Sequence, residues 1–428
     1  MVDTVGVVDD TQPANRHSDA DAGARMTEMF EPRNLGPLTL RNPIIKCATN
    51  EGLSREGLVT DTLVAWHRRF AAGGVGLTTL AYCAVEPEGR TFKHQLHMRP
   101  EMQPGLAKFC DVMHAEGSAV GLQLGHAGWF ATPAVIKQRP IGPSRQFSMV
   151  GQSVSRAMTA RDFDRVRDRF ASATVMAADV GVDGVEIHLG HGYLLSQFLS
   201  PYNNRRRDAY GGSLEDRARF PLEVLRAVRA AAPPGLAIWA KLNMLDGFKG
   251  GLELADAVQV ARWIAQDGSV DALQLTGGHT TKTPMFLMRG DVPLRDLIRY
   301  EKNPVRRLGM RVVAPRIIQE YPFEEAFFLG QARQFLAEVP VPLMLLGGVT
   351  QRSTVEAALR EGFSFVAMGR ALLRQPDLVH QMQEGLLDRS PCIPCNRCVA
   401  EMEDQGTRCV FKPSLSVEFP DAKWSPIR

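Results

Sequence analysis

The chain has 428 residues, of which 44% are hydrophobic and 23% charged, with a formal net charge of +3. These fractions describe a soluble globular protein, and a near-neutral charge with no dense Lys/Arg run excludes nucleic acid and anionic membrane as expected partners. No run approaches the roughly 18 apolar residues a membrane helix needs. The seven cysteines, an odd number crowded toward the C-terminus, argue against a secreted disulfide framework and for a reducing cytoplasm.

The first residues, MVDTVGVVDDTQPANRHSDADAGARM, lack a basic segment followed by an apolar block, so they are not a secretory signal. Residues 1–28 are expected to form a disordered extension, residues 29–385 one domain and residues 386–428 a cysteine-rich tail. Short apolar runs then mark eight strands: Ile44–Ala48, Gly76–Leu80, Ala119–Leu124, Gly184–His188, Ala237–Leu242, Ala272–Leu275, Pro342–Leu346 and Phe365–Met368. Helical stretches lie between most of them, including Asp61–Ala72, Arg161–Asp179, Leu214–Ala231, Leu252–Gln266 and Ser353–Glu361. Such alternation implies a parallel sheet with right-handed crossovers. Eight units favour an α/β fold closed as a (β/α)8 TIM barrel. An open doubly wound sheet is the alternative, but the first strand is not followed by G-x-G-x-x-G. Two connections are too long for turns, Trp129–Ala160 after strand three and His279–Glu320 after strand six. Both leave C-terminal strand ends and are expected to be lids or walls of the substrate pocket, the alternative being plain surface insertions.

Several polar residues end these strands. Gln123, in GLQLGHAG, offers an amide donor and acceptor suited to the edge of a heteroaromatic ring, or to a satisfied core position. His188, His191 and Tyr193, in EIHLGHGYLL, could be a metal pair, an acid/base set or packing residues. Ser213 and Asp216, in YGGSLEDRARF, form a capping-box pattern that opens a helix. Lys241 sits where an unpaired charge is costly, so it must be paired or functional. Gly347-Gly348 and Gly369-Arg370 follow strands seven and eight, where barrels often hold a phosphate on backbone N–H groups. Arg370 can add a charge-assisted contact there.

Together these pieces resemble the old yellow enzyme family of FMN-dependent NAD(P)H oxidoreductases, over about residues 28–385. The most specific segment is HLGHGYLLSQFLSPYNNRRRDAYGGSLEDRARF; FEPRNLGPLTLRNPIIKCATNEG, QLGHAG and GGVTQRS…AMGRALLRQPDL also match. The resemblance implies FMN across the barrel mouth, with NAD(P)H as reductant. Ala48, Thr49 and Asn50 would line the flavin from its dimethylbenzene ring to N5, and Gln123 would meet its pyrimidine edge. Lys241 would stand near N1 and O2, where many members carry Arg, and Asn50 replaces a common Thr or Cys near O4. Gly348, Gly369 and Arg370 would hold the ribityl phosphate. His188 and His191 would grip a substrate carbonyl oxygen, and Tyr193 would donate a proton. The implied activity is ping-pong reduction of activated C=C bonds in small unsaturated carbonyl compounds.

Cys392, Cys395, Cys398 and Cys409, spaced C-x2-C-x2-C-x10-C, suit a [4Fe–4S] cluster, less well zinc, and are otherwise a plain cysteine-rich tail. The tail is similar to that of the dienoyl-CoA reductase and trimethylamine dehydrogenase subset, which continue into a further nucleotide-binding region. A cluster would imply an external electron-transfer partner, and the alternative function is then a single-domain iron–sulfur dehydrogenase or demethylase. A zinc hydrolase lacks a carboxylate partner pattern, and intact His188, His191 and Tyr193 disfavour a silent flavin binder. A homo-oligomer is compatible with all of these readings.

Overall fold

The computed structural model describes residues 28–301, 303–402 and 406–418. The expectation of a disordered extension therefore lies outside the described residues except at Glu28, which opens a short 3-10 turn, Glu28–Phe30. Eight parallel strands close a barrel: β1 (Ile44–Lys46), β2 (Leu77–Ala84), β3 (Ala119–Gly125), β4 (Gly184–Leu189), β5 (Ala237–Asn243), β6 (Ala272–Thr276), β7 (Leu343–Leu346) and β8 (Phe365–Met368). The last strand pairs with the first through Val366–Ile44 to Met368–Lys46, so the ring has no free edge. This is the (β/α)8 architecture expected. Parallel strands covered on both faces read as continuous apolar runs, and every residue of β2, β4 and β5 is buried.

The outer layer holds α1 (Asp61–Ala72), α2 (Gln103–Ala115), α3 (Ala160–Asp179), α4 (Leu214–Ala231), α5 (Leu254–Asp267), α6 (Leu329–Glu338) and α7 (Arg352–Glu361). Their ends follow local chemistry. Thr60 Oγ1 accepts from Leu63 N–H at 3.1 Å to start α1, and Ser213 Oγ accepts from Asp216 N–H at 3.1 Å to start α4. Gly268 and Gly362 stop α5 and α7 in the left-handed conformation, where a Cβ is costly. Boundaries moved where the backbone required it. Pro342 has no N–H to give the ladder, so β7 begins at Leu343, while the Pro342 carbonyl accepts from Leu273 N–H. β2 runs four residues past Leu80.

The barrel floor is sealed by an antiparallel hairpin, Arg33–Leu35 with Leu38–Leu40. Its Leu35 and Leu40 pack with Ile45, Leu77, Trp239, Met344 and Phe365 inside the ring. The two long connections stand at the opposite end. The first contains two small sheets, Ile141–Gly142 with Arg156–Ala157 and Phe147–Ser148 with Ser153–Val154. The second contains helices Leu294–Tyr300 and Pro304–Ile317. Among the described residues no helix is long and apolar enough to cross a membrane.

Candidate active site

The C-terminal strand ends bring the sequence-expected residues to one mouth, where Gln123 and Lys241 meet a carboxylate, Glu186, that the sequence reading missed. Glu186, on β4, is fully buried. Its Oε1 accepts from Gln123 Nε2 on β3 and lies 2.8 Å from Lys241 Nζ on β5; its Oε2 accepts from Trp239 Nε1 at 2.9 Å. Strand register explains the convergence, since Gln123 and Trp239 both stand directly opposite Glu186. Lys241 is thus paired, as burial of its charge demands.

One layer up, His188 stands in register with Lys241. Its Nδ1 is buried and lacks a hydrogen-bond partner. The His191 ring lies 5.0 Å from that of His188, and the Tyr193 ring 4.5 Å from it. Burial pushes the His188 pKa well below its usual value, with His191 and Lys241 adding to the effect. Burial likewise takes His191 down to about 3, helped by Lys241 and His279. Both imidazoles are therefore neutral at physiological pH, each with one N–H to donate and one nitrogen to accept.

His191 adopts φ +58, a conformation uncommon for a residue with a Cβ. Three contacts hold it there. Its N–H donates to Asn243 Oδ1 at 3.0 Å, its carbonyl accepts from Thr280 Oγ1 at 2.8 Å, and its Nε2 meets Thr276 Oγ1 at 2.8 Å. Such over-determined strain is typical of functional positions. Tyr193 packs between Tyr82, 4.9 Å away between ring centroids, and Phe130, at 5.0 Å. Burial raises its phenol pKa, so it stays protonated. Ala48 joins the same group beside Ala81, Tyr82 and Ala84.

Thr49 and Asn50 lie in the loop after β1. Thr49 Oγ1 accepts from Lys46 Nζ at 3.0 Å, and Asn50 Oδ1 accepts from Gly52 N–H at 3.2 Å. Beneath them is a second buried set that the sequence reading also missed. Lys46 Nζ reaches Glu51 Oε1 at 3.2 Å, with His67 Nε2 3.3 Å from the same oxygen. Burial lowers the Lys46 pKa and lifts that of Glu51 to about 7. His279, noted only as the start of the second insertion, bridges to His191 through the backbone and meets Asn203 Oδ1 at 3.2 Å.

Gly347 and Gly348 follow β7 with φ +125 and +76, and a Cβ at either would strike Phe328 or Phe327. At Gly369 a Cβ would come 3.2 Å from Cys47 Sγ. Arg370 lies beside them, but its Nη1 donates to the Arg289 carbonyl at 2.8 Å and to Asn396 Oδ1. A phosphate contact would thus fall to its other N–H groups. The mouth suits a planar, phosphate-bearing ring system: glycine-lined turns on one side, an orphaned His188 nitrogen, and an orphaned Gln274 Oε1 on β6.

Comparison with known proteins agrees. Residues 28–280 match the NADH:flavin oxidoreductase / NADH oxidase family. The chain belongs to this family. It is 44% identical over 389 residues to 4,4'-dithiodibutanoate disulfide reductase of Rhodococcus erythropolis, covering 91% of this chain and 96% of that protein. It is 28% identical to an NADH oxidase of Thermoanaerobacter brockii, covering 94% of this chain but 58% of that one. Histamine dehydrogenase from Rhizobium sp. 4-9 shares the fold with a TM-score of 0.76 at 22% identity, over 92% of this chain and 53% of that one. The chain thus spans nearly all of the first relative and little more than half of the other two. As a member of the NADH:flavin oxidoreductase family it is an FMN-dependent oxidoreductase with NAD(P)H as reductant.

The tail packs against the mouth of this flavoenzyme. Cys392, Cys395, Cys398 and Cys409 line one pocket with Arg370, Leu373 and Asn396. Burial pushes Cys392 up to about 11 and Cys398 up to about 12, with the neighbouring thiols contributing and Arg370 opposing. A single zinc ion needs its sulfurs about 2.3 Å from one point. Among the described residues no three His, Cys, Asp or Glu side chains are grouped so.

Proposed function

We propose that this oxidoreductase reduces small electron-poor substrates, foremost activated C=C bonds conjugated to a carbonyl, in the pocket above Glu186 and Lys241. The observation that carries this reading is the grouping of a neutral His188 with an unpartnered Nδ1, a strained His191 and a protonated Tyr193. The strand-end glycines, Gln123 and Lys241 would hold FMN, which when bound would supply the hydride-transfer chemistry between NAD(P)H and substrate. His188 and His191 donate N–H groups to the substrate oxygen as it gains negative charge, and being fixed they need no reorganisation. Tyr193 gives its phenolic proton to the α-carbon and recovers one from solvent. Trp129 and Phe130, from the first long connection, bury one side of the mouth and keep water away.

A second reading is supported by the 44% identity to a disulfide reductase over nearly its whole length. In that case Tyr193 would protonate a departing thiolate, and the two histidines would hold a different part of the substrate. One experiment separates the readings. The holoenzyme is reduced anaerobically by NAD(P)H, then mixed with a cyclic enone or with a dithiodicarboxylate while flavin reoxidation is followed. Reoxidation by the enone supports the first reading, reoxidation by the disulfide alone supports the second, and failure of both sinks the pair.

A further inference from the structure

A hollow of about 360 Å³ lies on the protein surface where the first long connection meets the segment after β4, lined by Arg145, Arg205, Arg206, Arg207 and Asp208. Four guanidinium groups face one carboxylate there. That carboxylate is already taken, because Arg206 Nε donates to Asp208 Oδ1 at 2.9 Å and its Nη2 to Oδ2 at 2.5 Å. Arg206 also donates to the carbonyls of Pro143 and Met158, at 2.9 and 3.0 Å, which ties the two segments together. Arg205 N–H adds a bond to Ser144 Oγ at 2.8 Å. The frame is built by hydrogen bonds across two chain segments. Arg145, Arg205 and Arg207 are exposed, and none forms an ion pair with a described residue. An unneutralised cluster of this kind repels itself and is better explained by an anionic ligand than by folding.

Two further features point to what the anion is attached to. Gln146 is anchored inward by Asn203 Nδ2 at 3.0 Å and Ser148 is buried, so Arg145 and Phe147 share the outward side of that segment. Phe147, two residues along the chain from Arg145, is 61% exposed and offers a flat apolar face. On the other side Arg205 sits 5.9 Å over the ring of Tyr202. Tyr202 in turn packs 6.1 Å from His279 and 6.3 Å from Trp129 at the mouth. The hollow is therefore one aromatic residue away from the reaction site.

We propose that this hollow binds the ribose 2′- or 3′-phosphate monoester of an adenosine nucleotide, with the adenine against Phe147 and the phosphate among Arg145, Arg205 and Arg207. A dianion matches several converging guanidinium forks better than a single carboxylate does. Two molecules carry this group: NADPH on its 2′-oxygen, and a coenzyme A thioester on its 3′-oxygen. The proposal rests on NAD(P)H oxidation by the family site and not on the identity of the final acceptor.

The test uses the FMN-loaded enzyme and calorimetric titration with 2′,5′-ADP, 3′,5′-ADP and 5′-AMP, alongside KM values for NADPH and NADH. The proposal expects one of the two bisphosphates to bind about tenfold or more tightly than 5′-AMP. It also expects that preference to disappear in R145Q/R207Q, which alters only exposed side chains. If 2′,5′-ADP is the ligand, the same variant raises KM for NADPH about tenfold relative to NADH. If 3′,5′-ADP is the ligand, the KM ratio stays fixed and the source is a thioester. Equal binding of all three nucleotides, or a preference retained in R145Q/R207Q, overturns the proposal, while continued flavin reduction by NADH shows that the family activity stands.

Discussion

Lys241 Nζ lies 2.8 Å from Glu186 Oε1 inside the barrel, and both side chains are almost wholly buried. This ion pair is the floor of the candidate site, and removing one member strands a charge. Glu186→Ala is expected to cost about 3–5 kcal/mol, the usual penalty for breaking a buried pair from one side. Urea unfolding should show a lower midpoint with an unchanged slope. In a double-mutant cycle with Lys241→Met and Glu186→Leu, the two substitutions should couple by at least about 1 kcal/mol. Strict additivity would mean that the pair is not an energetic unit.

Tyr193 has a phenol held protonated by burial, 4.5 Å between ring centroids from His188. Tyr193→Phe keeps the packing against Tyr82 and Phe130 and removes only the proton donor. Flavin reduction by NAD(P)H should stay within about twofold, while enone turnover falls by about 10²–10⁴, the span of general acid catalysis. Stopped-flow of the two half-reactions measures both, and unchanged enone turnover would remove Tyr193 from the role of acid.

The barrel was legible in the sequence because eight apolar runs alternated with amphipathic helices, and both ends of α1 and α4 matched their expected positions. The candidate site was legible mainly where residues end strands, as His188, Lys241 and Gly369 do. Glu186 escaped notice although it lies two residues before His188 in the same strand, on the same face. A carboxylate between Val185 and Ile187 reads as an anomaly only once Lys241 is known to stand on the adjacent strand. Lys46, Glu51 and His67 were missed for a similar reason: they meet across a strand, a loop and a helix, and no local period records that. The small sheets of the first connection were hidden because two-residue strands leave no alternation to read.

The histidines at the mouth set the acid response. His188, His191 and His279 all have folded pKa values depressed below 6.5, His191 and His279 to about 3. A depressed histidine contributes stability above the unfolded value of about 6.5, and loses it as pH falls toward the folded value. Each should take away up to about 1.4 kcal/mol per pH unit in that window. Glu51 has the opposite sign. Its folded value of about 7 lies above the unfolded 4.5, so its contribution is present at low pH and is lost as pH rises through 7. Thermal melts from pH 8 to 5 should therefore show falling Tm, and Glu51→Gln should fall more steeply. A shallower decline in that variant would contradict the assignment.

Thr407 ties the tail to the flavin-side loop. Thr407 N–H donates to the Glu51 carbonyl at 2.7 Å, its Oγ1 to the Asn50 carbonyl at 2.6 Å, and its own carbonyl accepts from Trp66 Nε1 at 2.8 Å. Cys409 is two residues away and shares a pocket with the other three tail thiols. If those thiols hold an iron–sulfur group, anaerobic reconstitution with iron and sulfide should load about four irons per chain. Cys398→Ser should abolish loading, and removal of the metal by chelation should lower Tm, because binding to the native state alone stabilises it. A protein that takes up no iron under these conditions leaves the tail with a structural task only. Thr407→Val should then loosen the Asn50–Glu51 loop, and would be read as weaker FMN retention during dialysis in wild-type and cysteine-variant backgrounds alike.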